Sequence, residues 1–387
     1  MPIAATSRST PRSASASAPA QPRDHGLDRL RVAVILLVVL LHASLSYMVA
    51  PPTWWYVLDP RQSLFFTGLV LVVDVPIMLI MFFLAGYFAF PSLQKRGPGG
   101  FLRDKAVRIG IPWVFGTLVL APPTAYLIYY SRHFPVSLGA FWRTDFWGKA
   151  YQQSVYWYLG VLLLCFVLTA ALSAASPRFA AWKARTVQPK GSLLLVFVLV
   201  LAGASLLITG PCTFDTWTHN YVLVYQPARV PLYFGYFGLG LCASRQRWFT
   251  PGGYRPDPGL WTSLGALSGL AYLVWRLAVP PTVTTLGART VTALLFNGFC
   301  FAALLAGVAL CQSGSGGEHP WWRSQARNGY GIYYLHPLVL YPLALLLVPF
   351  PVASFIKAAA ITLAAYLACW GLSAAVLLRA PGLRRLF

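Results

Sequence analysis

Residues 27–47 read LDRLRVAVILLVVLLHASLSY, and the ten positions between Arg31 and His42 are all apolar. At 1.5 Å per residue this stretch is about 30 Å long, the thickness of a bilayer's hydrocarbon core. A segment in lipid must satisfy every backbone N–H and C=O within itself, so the run is read as a helix. It exceeds the apolar core of a cleaved signal peptide, and the Ala/Ser-rich tract lies before it rather than after. The stretch is expected to stay as a membrane anchor. Arg31 and His42 are eleven residues apart, about 20° short of sharing one helical line and about 16 Å apart along the axis. Arg31 then sits at the cytoplasmic mouth and His42 deep in the bilayer. An ionisable residue at that depth is expensive and points to function. The plain alternative is a snorkelling arginine plus a histidine bonded to a neighbouring helix.

The whole chain extends this pattern. Of 387 residues, 57% are hydrophobic and only 10% charged, with a mean hydropathy of +0.62. Soluble domains are about 25% charged, so this chain is too poor in charge to clothe a water-facing surface. Apolar runs of spanning length recur at 30–50, 63–90, 109–130, 155–174, 192–210, 227–243, 259–279, 290–312, 329–348 and 355–378. The fold expected is all-α and polytopic, with about ten transmembrane helices. Residues 1–24, rich in Ser, Ala, Pro and Arg, read as a disordered cytoplasmic tail, and 25–387 as one transmembrane domain.

The formal charge of +21 is distributed by loop: 22 of the 30 Lys and Arg fall in the tail and alternate loops, and seven on the opposite side. That bias places both termini in the cytoplasm. Basic residues scattered between apolar runs do not form the single basic face that a nucleic-acid partner requires, so none is expected. Cys165, Cys242, Cys300, Cys311 and Cys369 lie in or beside apolar runs. Cys212 alone is placed outside, which leaves no extracytoplasmic disulfide pair. No Cys/His grouping suggests a metal, and no internal repeat of the kind seen in many transporters is visible.

Further polar residues sit where lipid should be. Asp74 is the one carboxylate placed well inside a span, where it would orient His42, pair with an arginine, or stay protonated between helices. His336 precedes Pro337, which lacks a backbone N–H and therefore releases a carbonyl beside the imidazole. Its plain role is to satisfy that loosened backbone. Arg103, Lys105 and Arg108 crowd the cytoplasmic entrance of the third span. Arg229 lies on the outer side, against the orientation rule.

Taken together these segments resemble acyltransferase family 3, the transmembrane O-acyltransferases. Arg31 and His42 match that family's basic–ten-spacer–histidine pattern. FFLAGYF (82–88) resembles its Phe-Phe-x-x-Ser-Gly-Phe element, with Ala85 in place of Ser. FLRDKAVRIGIPWV resembles its basic segment, ending here in Arg108 to Pro112. YWYLGVLL, with Trp157 and Tyr158, resembles an aromatic span start. GIYYLHP resembles the late histidine element, although Arg327, Asn328 and Gly329 replace the usual serine-containing lead-in. VPIMLIMFFLAGYF and RVPLYFGYFGLG are similar to the periplasmic-glucan succinyltransferase subgroup.

The resemblance implies acyl transfer from cytoplasmic acyl-CoA to a hydroxyl of an extracytoplasmic glycan or glycolipid, in the inner (plasma) membrane. No cofactor is implied beyond acyl-CoA as donor substrate, and the partners are that donor, the acceptor and membrane lipid. Arg31, Arg103, Lys105 and Arg108 would meet CoA phosphates. Trp157 and Tyr158 would contribute to substrate binding. His42 would be the general base, assisted by Asp74, while His336 or Arg229 would stabilise an oxyanion or position the acceptor. A covalent acyl-histidine is the alternative route. The rival class is a proton-coupled transporter or flippase of a small charged solute, with His42 and Asp74 as its relay.

Overall fold

The computed structural model describes residues 25–210, 213–313 and 319–387. The expected tail, 1–24, and Cys212 lie outside the described residues. Every one of the ten expected apolar runs falls on helix. In chain order the α-helices of the described residues are α1 (His25–Ser44), α2 (Leu64–Lys105), α3 (Ile111–Phe115), α4 (Ala121–Ser131), α5 (Leu138–Arg143), α6 (Trp157–Ala175), α7 (Pro177–Ala180), α8 (Gly191–Ile208), α9 (Val230–Arg245), α10 (Pro258–Ala278), α11 (Leu286–Ser313), α12 (Pro320–Leu347) and α13 (Ser354–Leu372). Among the described residues the only sheet is the antiparallel pair β1 (Thr218–His219) and β2 (Val224–Tyr225).

Among the described residues seven stretches have the length and apolarity to cross a membrane, and one of them, Leu64–Ser131, runs for 68 residues. A straight helix of that length would be about 100 Å long, over three times the hydrocarbon core. It breaks at Gly97, whose φ of 66° and ψ of 170° leave the helical region just before Pro98. Glycine alone takes that backbone without strain. Beyond the break, π-helical turns at Ala106–Gly110 and Gly116–Leu120 flank α3. Pro112 cannot donate to the Arg108 carbonyl four residues back, and the Tyr330 hydroxyl of α12 donates to that oxygen at 3.0 Å instead. Pro112 of the third expected span thus ties it to α12.

Burial decides which helix is central. In α1, 67% of the most apolar window is buried, against 17% in α8. Helix α1 packs against α2, α11, α12 and α13, whereas Leu193, Leu195, Val196 and Leu207 of α8 are exposed, as lipid-facing residues are. Arg31 and His42 therefore ride on the innermost helix.

Helices α2 and α9 meet backbone to backbone. A Cβ on Gly86 would come within 2.0 Å of the Phe237 carbonyl oxygen, and one on Gly240 within 2.1 Å of the Phe83 oxygen. Small residues let helix backbones meet where no hydrophobic force drives them together. The glycine of FFLAGYF and the last glycine of FGLG are thus two halves of one crossing. Gly86→Ala should destabilise the purified protein by about 1–3 kcal/mol through overpacking. Gly238→Ala, which meets nothing within 4 Å, should leave its thermal unfolding unchanged. Equal melting temperatures for the two variants would contradict this account of the crossing.

Candidate active site

Two imidazoles meet at the centre of the bundle. The rings of His42 on α1 and His336 on α12 lie 4.9 Å apart, edge to face. His42 Nδ1 is 2.7 Å from the Val38 carbonyl oxygen, and His336 Nδ1 is 2.7 Å from the Tyr333 carbonyl oxygen. A carbonyl only accepts, so each Nδ1 carries the proton and each Nε2 presents a lone pair. Pro337 accounts for the second bond: it leaves the Tyr333 carbonyl without its helical donor, and the imidazole takes the place. Part of His336's polarity is thereby spent on the loosened backbone. Its Nε2 is nonetheless buried with no hydrogen-bond partner among the described residues.

Above the histidines the chain between α1 and α2 turns back into the protein. Asp59 N–H donates to the Ser46 carbonyl at 3.0 Å, and Ser63 N–H to the Tyr47 carbonyl at 2.9 Å. Arg132 donates to the carbonyls of Thr53 and Trp55, both at 3.1 Å. This strap lays the Trp55 ring 5.7 Å from His42 and 5.4 Å from Tyr341, and Trp55 Nε1 donates to Ser46 Oγ at 3.2 Å. Tyr56 stacks on Tyr341 at 4.1 Å and donates to Gln152 Oε1 at 2.7 Å. Burial pushes the Tyr56 phenol above its ordinary value, which keeps it a donor.

The strap is fastened by a buried ion pair. Lys357 Nζ of α13 is 2.6 Å from Asp59 Oδ2, and each side chain is only 2% exposed. Asp59 Oδ1 also accepts from Arg61 N–H at 2.9 Å. Outside the strap lies a cavity of about 510 Å³, walled by Trp54, Trp157, Trp217 and Tyr129 and floored by Trp55 and Tyr341. Gln152, Gln153, Lys149 and His219 supply its polar groups. The β1–β2 hairpin forms one rim, turning through Tyr221 at a φ of 64°.

Charge on this side is gathered elsewhere. Arg229 is 4% exposed and lies 2.6 Å from Asp74 and 3.4 Å from Asp215. Arg276 is 2.7 Å from the other oxygen of Asp215. Burial pushes the Asp215 carboxyl up, but the Arg276 and Arg229 guanidinium groups outweigh it and hold it below its ordinary value. Of the roles weighed for Asp74, the structure selects pairing with an arginine. It stays within Coulombic reach of His42 without a hydrogen bond to it.

At the other end of α1, Arg31 lies 3.6 Å from Asp28 and over the Phe88 ring at 4.9 Å. Tyr158 is buried between Phe82 and Tyr333, within Coulombic reach of Arg31. Unlike Trp157, it does not line the aromatic cavity. Asp104 unites the basic cluster: Arg96 pairs with it, Lys105 lies 3.6 Å away and Arg108 3.5 Å away. Arg103 is exposed beside them. Among the described residues no group of three or more His, Cys, Asp or Glu could hold a metal ion.

Trp55, Tyr56, Tyr341 and the Asp59–Lys357 pair were not singled out from sequence. The run WWY at 54–56 was a signal, as was Lys357, a positive charge on the outer side like Arg229.

A family model described as an acyltransferase domain, acyltransferase family 3, matches residues 24–374. No curated protein matches the chain. No solved structure matches it either.

Removing one partner of a buried ion pair strands the other charge and costs about 3–5 kcal/mol, whereas neutralising both is far milder. Lys357→Met should therefore lower thermal stability markedly. Asp59→Asn combined with Lys357→Met, which keeps an acceptor for Arg61 N–H, should regain most of the loss. A double variant as unstable as Lys357→Met would show that the two groups are not coupled.

Proposed function

Because the chain belongs to acyltransferase family 3, a family of membrane acyltransferases, we propose that it moves an acyl group from cytoplasmic acyl-CoA to a hydroxyl of an extracytoplasmic glycan or glycolipid, with His42 as general base. The observation that carries this reading is the pairing of a fixed tautomer with a cavity. Val38 holds the His42 Nδ1 proton, Nε2 is left as the base, and Trp55 and Tyr341 connect the ring to the outer cavity. Sugars combine apolar C–H faces with hydroxyl edges, and a wall of indoles interspersed with amides suits both.

In this reading the ten helical segments all cross the inner membrane and both termini are cytoplasmic, in line with the loop charges. CoA phosphates approach Arg31, Arg103, Lys105 and Arg108, and the pantetheine arm follows the α1 face past Tyr158 toward His42. The acceptor hydroxyl gives its proton to His42 Nε2 as its oxygen attacks the thioester carbonyl carbon. The C=O electron pair moves onto oxygen. Collapse of that intermediate breaks the C–S bond, and the departing CoA thiolate takes the proton from His42. Proton transfer of this kind contributes about 10²–10⁴-fold. The transporter alternative requires Asp74 to exchange protons with His42. Asp74 instead pairs with Arg229 at 2.6 Å, which favours acyl transfer.

Purified protein in proteoliposomes, supplied with radiolabelled acyl-CoA and an envelope glycan fraction, tests the reading. His42→Ala should lower transfer by about 10²-fold or more at unchanged melting temperature. A stable His42→Ala protein transferring at the wild-type rate would refute it. Arg31→Ala should raise the apparent KM for acyl-CoA with a smaller effect on kcat, because it removes a phosphate contact made before and during the reaction. Unchanged donor affinity would reduce Arg31 to an orientation signal.

A further inference from the structure

Helix α12 carries a second polar group for which the bundle offers no use. The Tyr341 side chain is fully buried, at 0% exposure, and its hydroxyl has no hydrogen-bond partner among the described residues. Buried hydroxyls are nearly always paired, so an unpaired one calls for an explanation. The neighbouring tyrosines show how readily pairing is achieved in this protein. Tyr56 reaches Gln152, Tyr334 the Pro112 carbonyl and Tyr330 the Arg108 carbonyl. Tyr341 alone among these ends without a partner, and it is the one beside His42, with ring centres 6.4 Å apart.

The ring of Tyr341 is held firmly. Tyr56 stacks on one face at 4.1 Å and Trp55 meets it edge-on at 5.4 Å, while the residue itself forms part of the cavity floor. Its neighbour His336, five residues earlier on the same helix, also leaves a ring nitrogen unpaired. A rigid, buried donor with no protein partner, placed next to the base, is how transition-state charge is best stabilised. Such a group needs no reorganisation when charge develops, and it acts in a medium that screens little.

Resting on the acyl transfer proposed above, we infer that Tyr341 is a further catalytic residue, whose hydroxyl donates a hydrogen bond to the oxyanion formed when the acceptor oxygen attacks the thioester carbonyl. The proton stays on Tyr341 throughout. His42 alone takes the acceptor proton and returns it to the thiolate. The interaction exists in the transition state and not in the ground state, so it acts on kcat rather than on KM.

Tyr341→Phe separates this role from a structural one, because it deletes a hydroxyl that the resting protein does not use and keeps the stack on Tyr56. Wild type, Tyr341→Phe and His42→Ala are compared in proteoliposomes with radiolabelled acetyl-CoA and succinyl-CoA, an envelope glycan fraction serving as acceptor. Thermal unfolding is recorded on the same preparations. Tyr341→Phe is expected to lower kcat about 10²-fold, to leave KM for donor and acceptor within about twofold, and to melt at or above the wild-type temperature. Wild-type kcat in Tyr341→Phe, with His42→Ala inactive, would overturn the inference and leave the general-base reading standing. Lost activity accompanied by a lowered melting temperature would assign Tyr341 to packing and equally overturn it. A wild-type protein that transfers neither acyl group, or a stable His42→Ala that transfers both, would instead remove the acyl-transfer reading on which the inference rests.

Discussion

Burying charge in an apolar bundle is so costly that the pairing of those charges dictates much of the structure. Lys357 and Asp59, 298 residues apart in sequence, meet at 2.6 Å where neither reaches water. Each alone would be expelled or neutralised. Together they draw the chain between α1 and α2 down into the bundle, and with it Trp55 and Tyr56. The same logic holds for Arg229, which is buried only because Asp74 and Asp215 surround it. One pair positions the aromatic floor over the histidines, and the other joins α2 and α10 to the loop ahead of α9.

The central site follows from these anchors together with two backbone facts. Proline at 337 frees a carbonyl that fixes the His336 tautomer, and a helical carbonyl at Val38 fixes that of His42. The glycine crossing of α2 with α9 and the proline-freed carbonyl tied to Tyr330 leave little slack around α1. The proposed base needs a defined tautomer, and main-chain oxygens rather than a carboxylate supply it here. Asp74 is thereby freed for Arg229. The charges divide along α1: cationic groups at the Arg31 end, the two imidazoles and the phenols in the middle, and an aromatic cavity with few charges beyond His42.

Local pattern revealed what local chemistry determines. The apolar run from Val32 to Leu41 announced a helix with Arg31 and His42 on one face, and Pro337 announced a released carbonyl beside His336. The break in the long α2 run was not anticipated as such, though Gly97–Pro98 marks it. Sequence gave no register for contacts across the bundle. Asp59 lies in the connection between α1 and α2 and Lys357 at the head of α13, and no periodicity relates them. Lys357 shared with Arg229 the oddity of a positive charge on the outer side. That oddity, applied to both, would have flagged each as half of a buried pair. Tyr341 carried no local mark, since its distinction is the absence of a partner, which only packing reveals.

The most direct measurement of the central claim is an experimental structure of the protein with a non-hydrolysable thioether analogue of acyl-CoA. The account predicts the adenine-nucleotide phosphates among Arg31, Arg103, Lys105 and Arg108, and the carbon standing for the thioester carbonyl within about 4 Å of His42 Nε2, the range of a near-attack geometry. An analogue seated in the outer cavity, or bound inside with its acyl end directed away from His42, would contradict it.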